Sequence, residues 1–229
     1  MLEADGDHKN DRDESEALTR LVREYVLPGF MPLDTVLEYV REWVEQEAET
    51  TSVADAEAFA LTVWHERLAE QENWTGTGDY DRLAAAFADL AEEGILGRMN
   101  FACCTNCATG EIDDERTEHP NPPDWYRYRE WAYVYFHEQN AARLTEPGAA
   151  LLLGYSAFRA LPDLPQALID AAAAGDEEAD AEVTRRTDSE VGRHIVAALV
   201  GRGLDVSWSG SHTERIAVTI GDWRKPLPV

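Results

Sequence analysis

The sequence predicts an α+β fold: an N-terminal helical region of about four helices, then a mixed sheet of about five strands with covering helices. Three observations carry this reading. From residue 14 to Gly94, apolar side chains recur at i, i+3, i+4 and i+7, the spacing that places them on one face of an α-helix. Beyond Gly94 they gather instead in short aromatic and aliphatic runs bounded by turn residues, as strands do. The last two runs alternate apolar with polar around a Ser-Gly-Ser turn, the pattern of a hairpin.

Taken in order, residues 1–13 have no apolar period and are expected to form a disordered terminus. Leu18, Leu21, Val22, Tyr25 and Val26 make the first helical stripe, which Pro28 and Gly29 stop. Leu33, Val36, Leu37, Val40, Trp43 and Val44 make the second, starting after Pro32. Ser52 with Asp55 resembles a capping box opening a third helix, on which Ala56, Phe59, Ala60, Val63 and Leu68 share a face. The fourth, from Asp79 to Glu93, buries Tyr80, Leu83, Phe87 and Leu90 and closes at Gly94. Strands are predicted at 95–103, 131–137 and 150–158; the middle one is apolar at nearly every position, which suits coverage on both faces. The alanine-rich, acidic stretch near 164–186, broken by Gly175, reads as an inserted helical hairpin. Thr187 with Glu190 predicts another helix start, and 204–208 with 216–220 the closing hairpin. The expected organisation is a terminus (1–13), a helical region (14–94) and an α/β region (95–223), or the last two as one compact domain.

With 45 acidic against 20 basic side chains in 229 residues, the chain carries a formal charge of −25. Such a surface repels phosphate backbones and anionic lipids, because nucleic-acid binding depends on Lys and Arg displacing counterions. Direct nucleic-acid binding is therefore not expected, whereas a basic protein partner is compatible. The longest aliphatic run, Ala149 to Leu153, is far below the roughly 20 residues of a membrane span, so no membrane association is expected, and no secretory signal is read at the N-terminus. The three cysteines are grouped within five positions, which is not a secreted disulfide framework and points to a reducing cytoplasm.

That group is the candidate site. Cys103, Cys104 and Cys107 leave a predicted strand and enter a short predicted helix, and the Cys104-x-x-Cys107 spacing puts two sulfurs at a helix N-terminus. There the unpaired N–H groups stabilise a thiolate. Cys103 and Cys104, being adjacent, are expected to point to opposite faces of an extended strand, so that at most one of them shares a pocket with Cys107. Zinc needs about four ligands, so His119 or His137 would have to complete a site made by the cysteines. Redox chemistry needs only Cys104 and Cys107. Inert packing of small, weakly polar thiols is the remaining reading. The strand at 131–137 ends in Phe136-His137-Glu138-Gln139-Asn140, a polar run directly after apolar residues. If the link from Cys104 to Glu130 is a crossover, the two strands run parallel and their carboxyl ends bring His137 to the cysteines. The intervening loop Glu118–Arg129, with three prolines among aromatics and arginines, is either a recognition loop or a rigid connection.

The pieces Asn100-Phe101-x-Cys103-Cys104-x-x-Cys107, Tyr135-Phe136-His137-x-Gln139, Val191-Gly192, and Val206-x-Trp208-x-Gly210 with Arg215-Ile216-x-Val218 resemble an uncharacterised, mainly actinobacterial family known as a domain of unknown function. Where the resemblance implies Asp after Gln139, this chain has Asn140. It implies a domain and an origin but no reaction.

The leading expectation is a binding or interaction protein for a small molecule or a basic protein, with a pocket formed by Cys103, Cys104, Cys107, His137, Gln139 and Asn140. The alternatives are a thiol-redox or zinc-binding protein using Cys104, Cys107 and His137, and an acidic protein docking a basic partner. No Walker loop, dinucleotide glycine fingerprint, H-E-x-x-H or G-x-S-x-G motif is present, so no catalytic mechanism is assigned.

Overall fold

A computed structural model of the chain describes residues 4–146 and 148–228, with side chains from residue 12 onward. The chain divides into two compact units, one formed by Met1–Gly78, Ala142–Pro147 and Asp222–Val229, the other by Asp79–Ala141 and Gly148–Gly221. Together they give the α+β fold expected from the pattern. Among the described residues no helix is long and apolar enough to cross a membrane.

In the first unit, helices α1 (Ala4–Val26), α2 (Leu33–Glu47) and α3 (Val53–Glu72) carry the predicted stripes. Helical backbone begins at Ala4, so part of the stretch expected as a disordered terminus continues the first helix; residues 1–3 lie outside the described residues. Leu18, Val22 and Val26 pack with Val36, Val40, Ala56, Ala60, Val63, Trp64 and Leu227 in one buried cluster. Each buried aliphatic of this kind contributes about 1.5–3 kcal/mol of transfer free energy. Ser52 caps α3 as its spacing predicts: its hydroxyl accepts from the Asp55 amide at 3.1 Å and donates to the Asp55 carboxylate at 2.7 Å.

The second unit begins with α4 (Asp79–Glu92), which the sequence groups with the helical region. Its apolar face, Leu83, Ala86, Phe87 and Leu90, is buried, and the Phe87 ring lies so close to Gly97 that no side chain fits there. Strands β1 (Ile95–Arg98), β2 (Ala132–Tyr135), β3 (Ala149–Ala157), β4 (Asp205–Ser207) and β5 (Ile216–Ile220) form one mixed sheet in the order β1-β2-β3-β5-β4. β1 and β2 are parallel, with Arg98 opposite Tyr135, while every other pair is antiparallel. The crossover between the parallel strands holds α5 (Thr105–Glu111), a short 3-10 turn, and the proline-rich loop. That loop is tied down as a narrow ladder, with His119 N–H donating to the Arg127 carbonyl and the Arg116 guanidinium over the Tyr128 ring at 3.8 Å.

Two differences from the sequence reading are instructive. α7 (Gln166–Ala173) turns at Gly175 as expected, but α8 runs unbroken from Glu177 to Gly201. Asp176 is its N-cap, accepting from the Glu178 and Ala179 amides at 3.0 Å each. Thr187 therefore lies in the helix interior, where its hydroxyl accepts from the Leu161 amide at 3.3 Å. Nothing between 177 and 187 breaks a helix, so the stronger cap upstream determined the boundary. The first strand is also shorter than predicted and stops at Arg98.

Candidate functional site

Because β1 and β2 run the same way, the chain segments leaving their carboxyl ends lie side by side and hydrogen-bond. Phe136 N–H donates to the Arg98 carbonyl at 3.2 Å, Phe101 N–H to the Phe136 carbonyl at 2.9 Å, and Glu138 N–H to the Ala102 carbonyl at 3.1 Å. The first segment turns through two left-handed residues, Asn100 (φ 51°) and Ala102 (φ 58°). Asn tolerates that conformation, whereas for Ala it costs about 1–2 kcal/mol, which the backbone bonds to the β2 segment must offset.

The turn decides where the sulfurs go. Cys103 and Cys104 leave a tight loop and not an extended strand, so the expectation that they face apart does not hold. The Sγ atoms of Cys103, Cys104 and Cys107 all lie within 4.8 Å of one another, and those of Cys103 and Cys107 are 3.4 Å apart. All three are free thiols, Cys103 exposed and the others half-buried. Cys104 occupies the N-cap of α5. The Cys107 amide, then the Cys107 and Cys103 thiols, hold its thiol below the ordinary value of 9.0. Cys107 is pushed up to about 12, chiefly by its contacts with the other two sulfurs. One thiol of the three is thus readied for ionisation and another resists it.

Tetrahedral zinc with Zn–S bonds of about 2.3 Å has sulfur–sulfur edges of about 3.8 Å, a spacing the cluster brackets. Three such sulfurs can hold a soft ion and leave one coordination position for another donor.

His137 meets the residue that follows Cys104. It is buried, 4% exposed, and its Nε2 lies 3.1 Å from the hydroxyl of Thr105, the residue after Cys104. Arg215, from the start of the β5 segment, donates through Nη2 to the same hydroxyl at 2.7 Å. The Thr105 hydroxyl, with one proton and two lone pairs, accepts from Arg215 and pairs with Nε2, the direction of that second bond following the imidazole tautomer. Burial, then the Arg215 charge, hold the His137 pKa below its ordinary 6.5, which favours the neutral imidazole. Nδ1 itself is buried and finds no partner, and the same is true of Oδ1 of Asn140, one turn further along. Gln139 is exposed on the same short helix, α6 (Glu138–Ala141). His119 lies in the crossover loop, where its Nδ1 accepts from the Asn121 amide at 3.1 Å. Neither His119 nor His137 belongs to the close group of ligand atoms found among the described residues, which consists of the three sulfurs.

Thr105 and Arg215 were not among the residues expected at the site, Arg215 being named only within the family motif. Thr105 directly follows the cysteine pair, and Arg215 opens a β-run at the far end of the chain; only the folded sheet brings them together.

No curated protein matches this chain. The family model of a domain of unknown function, DUF6891, matches residues 11–227, almost the entire length, and the chain belongs to that family.

Proposed function

We propose that this protein binds a zinc-class soft metal ion through Cys103, Cys104 and Cys107, the fourth position being taken by a donor from outside the cluster. The observation that carries the reading is the mutual approach of the three sulfurs within 4.8 Å. His137 acts here as a neutral second-layer group that fixes Thr105, and through it the start of α5, rather than as a ligand. The reading keeps the protein among binding proteins. The test is metal content of reduced protein equilibrated with equimolar zinc, together with the absorption spectrum after cobalt substitution. The expected result is about one ion per chain with a thiolate–cobalt charge-transfer band, lost in Cys107→Ser. Reduced protein that emerges metal-free overturns it.

The split in thiol acidity favours a second reading, dithiol redox chemistry, with Cys104 attacking and Cys107 resolving. It requires a disulfide after mild oxidation and thiol exchange in metal-free protein.

A further inference from the structure

Arg215 has a setting that its role in packing does not explain. Its side chain is exposed at a residue whose neighbours on the strand face solvent or the core, yet its guanidinium is anchored on the Thr105 hydroxyl, one residue from Cys104. In a chain of charge −25, many arginines are neutralised by a carboxylate, as Arg98 is by Glu115 and Arg202 by Asp89. Among the described residues Arg215 has no carboxylate within ion-pair reach; Glu214, beside it, is engaged by the Ser209 hydroxyl at 2.6 Å. A single Nη2 bond leaves the remaining N–H donors of the fork available. A planar cation with free donors is suited to a carboxylate, and this one is anchored one residue along from Cys104, so a molecule held there by its carboxylate has its other end near the thiols.

We infer that the cysteine cluster takes a small thiol carboxylate, its carboxylate held by Arg215 and its sulfur placed at the cluster. The inference deepens the proposed function and rests on the cysteine cluster being the functional site. With a metal present, the ligand sulfur fills the fourth position. Without one, the same geometry selects between anionic and neutral reagents approaching the thiols.

That selection is the test, run on reduced, metal-free, full-length protein so that its outcome is independent of metal binding. Rates of alkylation by iodoacetate and by neutral iodoacetamide are measured at an ionic strength of about 0.15 M, where a screening length of about 8 Å damps the distant acidic surface. In both reactions a cluster thiolate displaces iodide, and the reagents differ only in the carboxylate. The ratio of the iodoacetate rate to the iodoacetamide rate is expected to fall about tenfold in Arg215→Gln, the factor that one charge-assisted hydrogen bond typically supplies. Arg215→Lys, which keeps the charge without the fork, is expected to retain part of the preference. A ratio unchanged by Arg215→Gln overturns the inference, as does failure of both reagents to reach the thiols. Either result leaves the metal-content measurement to decide the metal reading separately.

Discussion

Replacing Thr105 by valine removes a single oxygen while keeping size and β-branching. In the native arrangement that oxygen serves both His137 Nε2 at 3.1 Å and Arg215 Nη2 at 2.7 Å. The imidazole is 4% exposed and its Nδ1 already lacks a partner, so in Thr105→Val both ring nitrogens would be buried and unpaired. Leaving one buried polar group unsatisfied costs about 1–3 kcal/mol, whereas the bond to exposed Arg215 adds little to stability. A loss of about 2 kcal/mol is expected. For a chain of this size each kcal/mol lowers the melting temperature by about 2–4 °C, so the drop is about 6 °C. Thr105→Ser keeps the hydroxyl and is expected to stay within about 0.5 kcal/mol of wild type. The assay is chemical denaturation of both variants, with the alkylation ratio measured alongside, since Arg215 loses its anchor only in the valine variant. Equal stability of the valine and serine variants would refute the assignment of His137 as a buried imidazole whose one partner is Thr105.

Two further outcomes test the packing and the electrostatics. A Cβ on Gly192 would collide with Cζ2 and Cη2 of the Trp208 ring, so Gly192→Ala should destabilise by about 1–3 kcal/mol, whereas Gly201→Ala, with nothing within 4 Å, should stabilise by up to about 1 kcal/mol; thermal melts compare them. Glu14 accepts from the Glu49, Thr50 and Thr51 amides and from both threonine hydroxyls, and the Glu49 amide leads in lowering its pKa from 4.5 to about 2. A carboxylate with a depressed folded pKa stabilises above its unfolded value and loses that contribution as pH falls through the folded one. Wild type should therefore lose stability between about pH 4.5 and pH 2, and Glu14→Gln, less stable at pH 7, should show a flatter dependence there; unfolding midpoints across that range check it.

The sequence by itself determined the helices and strands, because those signals are local. A period of 3.6 or 2 can be read along the chain, and Ser52 announces its cap three residues ahead. The parallel pairing of the first two strands stood in the sequence only as a condition, that the link from Cys104 to Glu130 be a crossover, and the folded sheet supplies it. What it could not supply was the path of the chain from Met99 to Cys104, where left-handed turns at Asn100 and Ala102, held by bonds to the Phe136–Glu138 segment, gather three sulfurs that an extended strand would have separated. Nor could it pair Arg215 with Thr105, residues 110 positions apart in the chain, or run α8 through the cap-like Thr187. These features depend on contacts that form only once the sheet has closed, and no local period or propensity encodes them.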